Sequence, residues 1–384
     1  MKASLKEIIA YALNDLGVSI ITNVPGYGGS EVYSIHCELI NKKLPVSFHE
    51  EVAYTISHGS AITGKRSAVL MKAQGMAKAA NSVVDSLYTK VSAGFVTFIF
   101  EDFSGSHSDN IMEGEPFLNG MSFPYIKADE NNIYNEIIKS YLYSERNGTP
   151  IAILVDASRM DEEIEFERRQ DLSKHFKYER NILNHVVHPL FADFQYKLFT
   201  ARKHKMDTSK FAPPHLPMVP EELPERYKEA VIAYQPFFDV FKQFKLVVVC
   251  GDTTSSSSFC LPPYDCIDIV TYIGGSIPLA MGAYLAGHKH AWALTGDCGF
   301  IAAGHIGLLE AVNRELPVKV VIFNNKKASA TGGQKIDKKL LLRILSPYER
   351  STKHIHNAAD PIEISEVLDE AISADELRII VVNY

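Results

Sequence analysis

The segment Ala291–Gln334, AWALTGDCGFIAAGHIGLLEAVNRELPVKVVIFNNKKASATGGQ, holds the residues best suited to chemistry. An apolar run, Ala291–Thr295, leads into Gly296-Asp297-Cys298-Gly299. A helical pattern follows over Ile301–Arg314, and a second run, Val318–Phe323, ends in Asn324-Asn325. Strand, helix and strand make one βαβ unit, so the two strands are expected side by side and parallel. The loop after the first strand and the end of the second then meet at the carboxyl edge of the sheet, where α/β proteins bind ligands. A helix start offers free backbone N–H groups and a partial positive charge, which suit a phosphate. Gly296 and Gly299 let the backbone come close. Asp297 and Asn325, 28 positions apart, offer hard oxygen donors to Mg2+, an ion often shared with phosphates. Alone, the segment also fits a generic βαβ unit with a structural Asp in its turn.

This pattern resembles the diphosphate motif of the thiamin-diphosphate-dependent enzymes, GDG followed by NN, with Cys298 in place of the second glycine. The resemblance implies thiamin diphosphate and Mg2+ as cofactors. It puts the metal on Asp297, the Asn325 side chain and the backbone carbonyl of Lys327. Upstream, Tyr272-Ile273-Gly274-Gly275-Ser276-Ile277 also resembles a family element. It implies that the Gly275 carbonyl meets the aminopyrimidine and that Ile277 props the cofactor in its bent shape. Thr253 and Thr254 follow the apolar run Leu246–Cys250 and suit a diphosphate donor or a helix N-cap equally. The serine run Ser255–Ser258 is read as a loop.

The carboxylate that this chemistry requires comes from the first half. Ser47-Phe48-His49-Glu50-Glu51-Val52-Ala53, continuing into HGSAITGKRSAVLM, is similar to the pyrimidine-domain signature, in which a glutamate opens a helix. The resemblance gives Glu50 the bond to the cofactor N1′, with Glu51 as the alternative. Both also suit ordinary first-turn acids near a helix N-terminus. On the substrate side, Lys72 could bind a carboxylate and His107 could move protons. A surface lysine and a loop histidine are equally good readings of the pair.

Several elements resemble the alpha subunit of indolepyruvate:ferredoxin oxidoreductase. They are Pro25-Gly26 with Ser30-Glu31-Val32, Met71-Lys72 with Gly75, His107-Ser108, Thr331-Gly332 with Gln334, Gly251-Asp252, and Leu285-Ala286-Gly287. The compact two-domain order also resembles phosphonopyruvate and sulfopyruvate decarboxylases. The five cysteines, Cys37, Cys250, Cys260, Cys266 and Cys298, contain no closely spaced group for an iron–sulfur cluster. The expected activity is therefore non-oxidative decarboxylation of a 2-oxoacid, or carboligation. The alternatives are the catalytic subunit of an oxidoreductase with its redox centres on another chain, and a cofactor-binding protein without turnover. The family further implies a homodimer or dimer of dimers with the cofactor at the subunit interface.

The elements that must position these residues form two stretches. Residues 1–157 and 244–384 alternate short apolar runs with helical patterns. This predicts two doubly wound, mostly parallel α/β domains, a pyrimidine-binding and a diphosphate-binding one. The first stretch carries runs Val18–Val24, Ser67–Met71, Phe95–Phe100 and Ile151–Val155, with helices over Glu50–Ile62 and Ala77–Tyr88. The N-terminus reads as an amphipathic helix with Leu5, Ile8, Ile9, Ala12, Leu13 and Leu16 at helical spacing. In the second, Ile267–Tyr272 and Arg378–Val382 are further strands, and Ile277–Leu285 a further helix. Residues 158–243 read as a connector wrapping over the surface. A net charge of -7 gives no reason to expect nucleic acid or an anionic membrane as partner. No apolar run approaches the roughly 20 residues of a membrane span, and free thiols suit the cytoplasm.

Overall fold

The structure, a computed structural model, describes residues 1–244 and 248–384. The chain divides into two units, Met1–Glu179 and Arg180–Tyr384. Each is built on a parallel sheet, as the two-domain α/β reading expects.

In the first unit the strands lie in the order Ile20–Asn23, Ser67–Lys72, Phe95–Glu101, Ile151–Asp156, Tyr125–Lys127, all parallel. Val69, Leu70, Phe98, Ile99 and Ile153 are wholly buried, which is what strands covered on both faces require. The first helix is Leu5–Asp15. Glu7 Oε2 accepts from Ser4 N at 2.8 Å and from Ser4 Oγ at 2.5 Å, closing its N-terminus. The residues before it correct the helical reading of the N-terminus: Lys2–Ser4 is a strand, paired antiparallel with Glu163–Glu165. The helical pattern expected over Ala77–Tyr88 is two helices, Ala73–Lys78 and Ala80–Ser86, broken at Ala79.

In the second unit the order is Thr352–Ile355, Arg378–Asn383, Lys319–Asn324, Ala291–Gly296, Val248–Gly251, Ile269–Val270, again parallel throughout. Leu246, where the sequence reading began a strand, lies outside the described residues. The run Ile267–Tyr272 pairs only at Ile269–Val270. The serine run is not an open loop: Ser255–Cys260 is a 3₁₀ helix whose Ser256, Ser257 and Ser258 are buried.

The stretch read as a surface connector divides between the units, and two arginines show why. Arg66, buried, donates to Leu16 O and Leu172 O, each at 2.6 Å, and pairs with Glu145 at 2.6 Å. This ties the chain near residue 172 to the first unit. Arg180 donates to Asp268 at 2.7 Å and to Cys260 O at 2.9 Å, starting the second. From there the chain contributes core. The helix Glu225–Phe241 buries Tyr234, Phe237, Phe238 and Phe241 against Phe259, Trp292 and Phe323. Phe238 lies flat on Phe259 with centroids 3.7 Å apart. Phe238→Ala should therefore lower the stability of this unit by about 3–5 kcal/mol. Urea unfolding followed by the emission of Trp292, the single tryptophan, reads it. A midpoint like that of the unaltered chain would contradict the core role of this helix.

A second prediction concerns the first unit, where Asp85 of the helix Ala80–Ser86 lies near Glu51. Burial, and then the Glu51 charge, push the Asp85 carboxyl up to about 6 from an ordinary 3.8. Burial also raises Glu51, against hydrogen bonds from Asn81 and the Ser82 backbone. Well below pH 3.8 Asp85 is protonated folded and unfolded and contributes nothing. As the pH rises toward 6 the unfolded chain releases its proton first, so stability falls, on the order of 2 kcal/mol. Asp85→Asn should stabilise the fold at about pH 7.5 and leave it nearly unchanged at about pH 3. An equal effect at both values, measured by urea midpoint, would sink the assignment.

Candidate functional site

The chemistry-bearing residues gather at the carboxyl ends of the strands of both sheets. In the second unit, Ala291–Gly296 and Lys319–Asn324 are neighbours in register, Gly296 opposite Phe323, so Asp297 and Asn325 emerge side by side. Asp297 is buried. Its Oδ1 accepts from Cys298 N at 2.8 Å and its Oδ2 from Lys326 N at 2.7 Å. Burial raises its pKa, and these N–H groups oppose the rise. Asn325 Oδ1 accepts from Lys327 N at 3.1 Å, and the Lys327 carbonyl accepts from Ser329 N at 2.9 Å. Between them Lys326 takes a left-handed backbone, φ +62°, unusual for a side chain with a Cβ. The bond from its N–H to Asp297 holds it there.

This donor set suits a hard divalent cation: one buried carboxylate, one amide oxygen and one carbonyl, each oxygen with lone pairs to spare. Among the described residues no group of three or more His, Cys, Asp or Glu side chains could hold a metal. A mixed set of this kind is thus the fitting one. Gly296 and Thr254 flank the approach: a Cβ on Gly296 would meet Thr254 Cγ2 at 3.9 Å. Thr254 stands at the N-cap of the 3₁₀ helix, but its Oγ1 bonds Ser256 Oγ at 2.9 Å instead of capping. Thr253 is half-buried beside it. After Asp297-Cys298-Gly299 the helix runs through a π-turn, Phe300–Gly304, into His305–Asn313. Such turns recur at functional sites. Gly274, φ +85°, makes room for it, since a Cβ there would strike Ala303 at 2.6 Å.

The Gly274–Gly275 turn opens the helix Ser276–Leu285. Gly275 is buried; its N–H donates to Tyr272 O and its carbonyl accepts from Leu279 N, each at 3.1 Å. Ile277 is wholly buried, packed beneath Gly304 and Gly307, and so serves the core. The apolar residue of this turn that reaches solvent is Ile273, 38% exposed, beside Gly299. The sequence reading noted Asp252 only as part of a resemblance and gave it no role. It is fully buried and binds Thr295 Oγ1 and Ser276 N (2.9 Å), joining the turn at 274–276 to the strand that ends at Asp297. Burial raises its pKa; the Thr295 and Ser276 bonds oppose this. A Cβ on Gly299 would lie 2.6 Å from Asp252 Oδ2, which explains the glycine retained there. A lone Asp directly after a strand was the available signal.

In the first unit a cleft of about 280 Å³ brings together Glu50, Lys72 and His107, with Pro25, Gln74 and Gly75. Ser47 N donates to Asn23 O at 2.8 Å, which lays the approach to the helix Glu50–Ile62 along the end of the first strand. Gly75 is needed for contact: a Cβ would lie 2.8 Å from Glu50 Cγ. Glu50 pairs with Lys78 at 2.9 Å. Glu51, one place on, turns instead toward Asn81 and Ser82. The Lys72 ammonium is taken up by His107 O and Ser108 Oγ. Asp102 secures the same loop, accepting from Ser104 Oγ (2.6 Å), His107 N (2.8 Å) and Ser108 Oγ (2.9 Å), bonds that hold its pKa well below the usual range. His107 is exposed and stacks on Tyr27 at 3.9 Å.

Residues 251–382 match the family model of the thiamine pyrophosphate enzymes' C-terminal TPP binding domain. Over 151 residues, 38% of this chain, the sequence is 24% identical to indolepyruvate oxidoreductase subunit IorA of Methanothermobacter thermautotrophicus. Over 155 residues it is 25% identical to the IorA subunit of Archaeoglobus fulgidus. The matched portion spans about a quarter of each relative's length, 24% and 25%. Among solved structures, the thiamine diphosphate-dependent 4-hydroxybenzoylformate decarboxylase of Rhodococcus jostii RHA1 aligns over 99% of both chains, with TM-score 0.69 and 12% identity. Benzoylformate decarboxylase of Polynucleobacter necessarius aligns over 99% of this chain and 98% of its own, with TM-score 0.66 and 11% identity. These two likenesses establish the fold. The family match covers residues 251–382, and the likeness to IorA is partial.

Proposed function

We propose that the chain is a thiamin-diphosphate- and Mg2+-dependent enzyme that acts on a 2-oxoacid by non-oxidative decarboxylation or carboligation. The observation that carries this reading is the pairing of buried Asp297 with Asn325 at the carboxyl ends of adjacent parallel strands, within the matched TPP-binding domain. Asp297, Asn325 and the Lys327 carbonyl would hold Mg2+. Gly296, Cys298, Gly299, Thr253 and Thr254 would accommodate the diphosphate at the helix start. Bound thiamin diphosphate supplies an acidic C2 carbon and an amino group close to it, chemistry that side chains lack. Glu50 would hold a proton at the cofactor N1′. Its place in a cleft behind a glycine that admits its Cγ supports this role over Glu51. His107, exposed at the rim of that cleft, is the group that would move a proton at the substrate. The Lys72 ammonium, taken up by the loop, would place His107 rather than grip a carboxylate. A homodimer or dimer of dimers is the assembly this reading expects.

The partial likeness to IorA supports a second reading, the catalytic subunit of a 2-oxoacid oxidoreductase with its redox centres on another chain. The five cysteines are free, and Cys250, Cys260 and Cys266 are buried, so they suit core positions better than a cluster. A screen of 2-oxoacids with thiamin diphosphate and Mg2+ separates the readings. CO2 release without an electron acceptor supports decarboxylation or carboligation. Release only with an acceptor supports the oxidoreductase subunit, and no release from any 2-oxoacid would overturn both. Glu50→Gln should retain Mg2+-dependent cofactor binding and slow C2 proton exchange at least about 100-fold, followed by NMR in D2O. Exchange at the unaltered rate would remove Glu50 from its role.

A further inference from the structure

The helix Glu225–Phe241 does more for the second unit than fill its core. Tyr234, 3% exposed, lies on its inner face, stacked on Phe323 at 4.9 Å and against Tyr384 at 4.8 Å. Its hydroxyl accepts from Asn325 Nδ2 at 2.5 Å, and Ser329 Oγ accepts from the same nitrogen at 2.9 Å. At the other end of the amide, Asn325 Oδ1 faces the Lys327 N–H. A backbone N–H can only donate, so the atom facing it has to be the oxygen. Turning the amide over would set N–H against N–H at Lys327. A second link ties the same helix to this loop, an ion pair between Lys327 Nζ and Glu229 at 3.1 Å.

We propose that Tyr234 is a positioning residue for the cation site. Its buried hydroxyl holds the Asn325 amide in one orientation, with the nitrogen turned to the helix and the side-chain oxygen to the Lys327 N–H, where its second lone pair would be taken by a divalent cation. The proposal rests on Asp297 and Asn325 being cation ligands. An amide ligand freed of its outer partner must be ordered by the metal itself, and loss of such partners typically weakens metal binding by about 10–100-fold. Phenylalanine at 234 keeps the ring contacts with Phe323 and Tyr384 and removes only the hydroxyl.

The test is a Mg2+ titration of the full chain at fixed thiamin diphosphate, read by calorimetry and by Trp292 emission, with thermal unfolding as a check on the fold. Tyr234→Phe should raise the apparent Kd for Mg2+ about tenfold while unfolding as the unaltered chain does. A folded Tyr234→Phe with unaltered Mg2+ affinity overturns the proposal. Asn325→Asp provides the second variant, because a carboxylate presents an oxygen in either orientation. In that background Tyr234→Phe should no longer weaken Mg2+ binding. The same tenfold loss there would mark a merely structural role and also overturn the proposal. Asp297→Ala separates this idea from the reading beneath it. If Asp297→Ala abolishes Mg2+-dependent binding and Tyr234→Phe does not weaken it, only the role of Tyr234 falls. If the unaltered chain shows no such binding, or Asp297→Ala binds as it does, the ligand assignment falls and takes this proposal with it.

Discussion

Parallel pairing of Ala291–Gly296 with Lys319–Asn324 is the constraint on which the second unit's site depends. Parallel neighbours end at the same edge, so every loop that follows a strand opens on the same side. Asp297, Asn325, Asp252 and the Gly274–Gly275 turn are far apart in sequence and arrive together for this reason alone. An antiparallel neighbour in place of either strand would send one ligand to the opposite edge.

Burial then shapes the electrostatics of what the sheet has gathered. Asp252 and Asp297 are both carboxylates taken out of water, and both are raised by it. Each is compensated by local donors: Thr295 and Ser276 for the first, the Lys326 and Cys298 N–H groups for the second. Asp252 thereby links the Gly274–Gly275 turn to the strand before Asp297, and the nearby glycines leave space that side chains would fill. In the first unit, Asp102 and Lys72 impose the same kind of order on the loop carrying His107.

The stretch between the two sequence-evident sheets shows how hydrophobic burial overrules appearance. Its proline-rich, charged composition suggests a strap over the surface. Yet Tyr234, Phe237, Phe238 and Phe241 recur at helical spacing and supply aromatic core to the second unit. Once that helix is part of the core, its tyrosine hydroxyl stands beside Asn325. A packing element thus acquires a place next to the site.

Local pattern and spacing alone determined the two parallel α/β sheets, most of their central strands and the βαβ unit around Asp297 and Asn325, whereas the candidacy of Glu50 came from a family resemblance. Those signals survive in one dimension because strand burial, helical periodicity and glycine turns are short-range. Several features were decided only in three dimensions. Glu50 faces the cleft while Glu51 turns to Asn81. Ile277 goes into the core and leaves Ile273 at the surface. Lys72 is spent on the His107 loop, and residues 158–243 divide at Glu179 between two units. Each of these depends on which distant backbone a side chain meets, a long-range contact that no local spacing encodes.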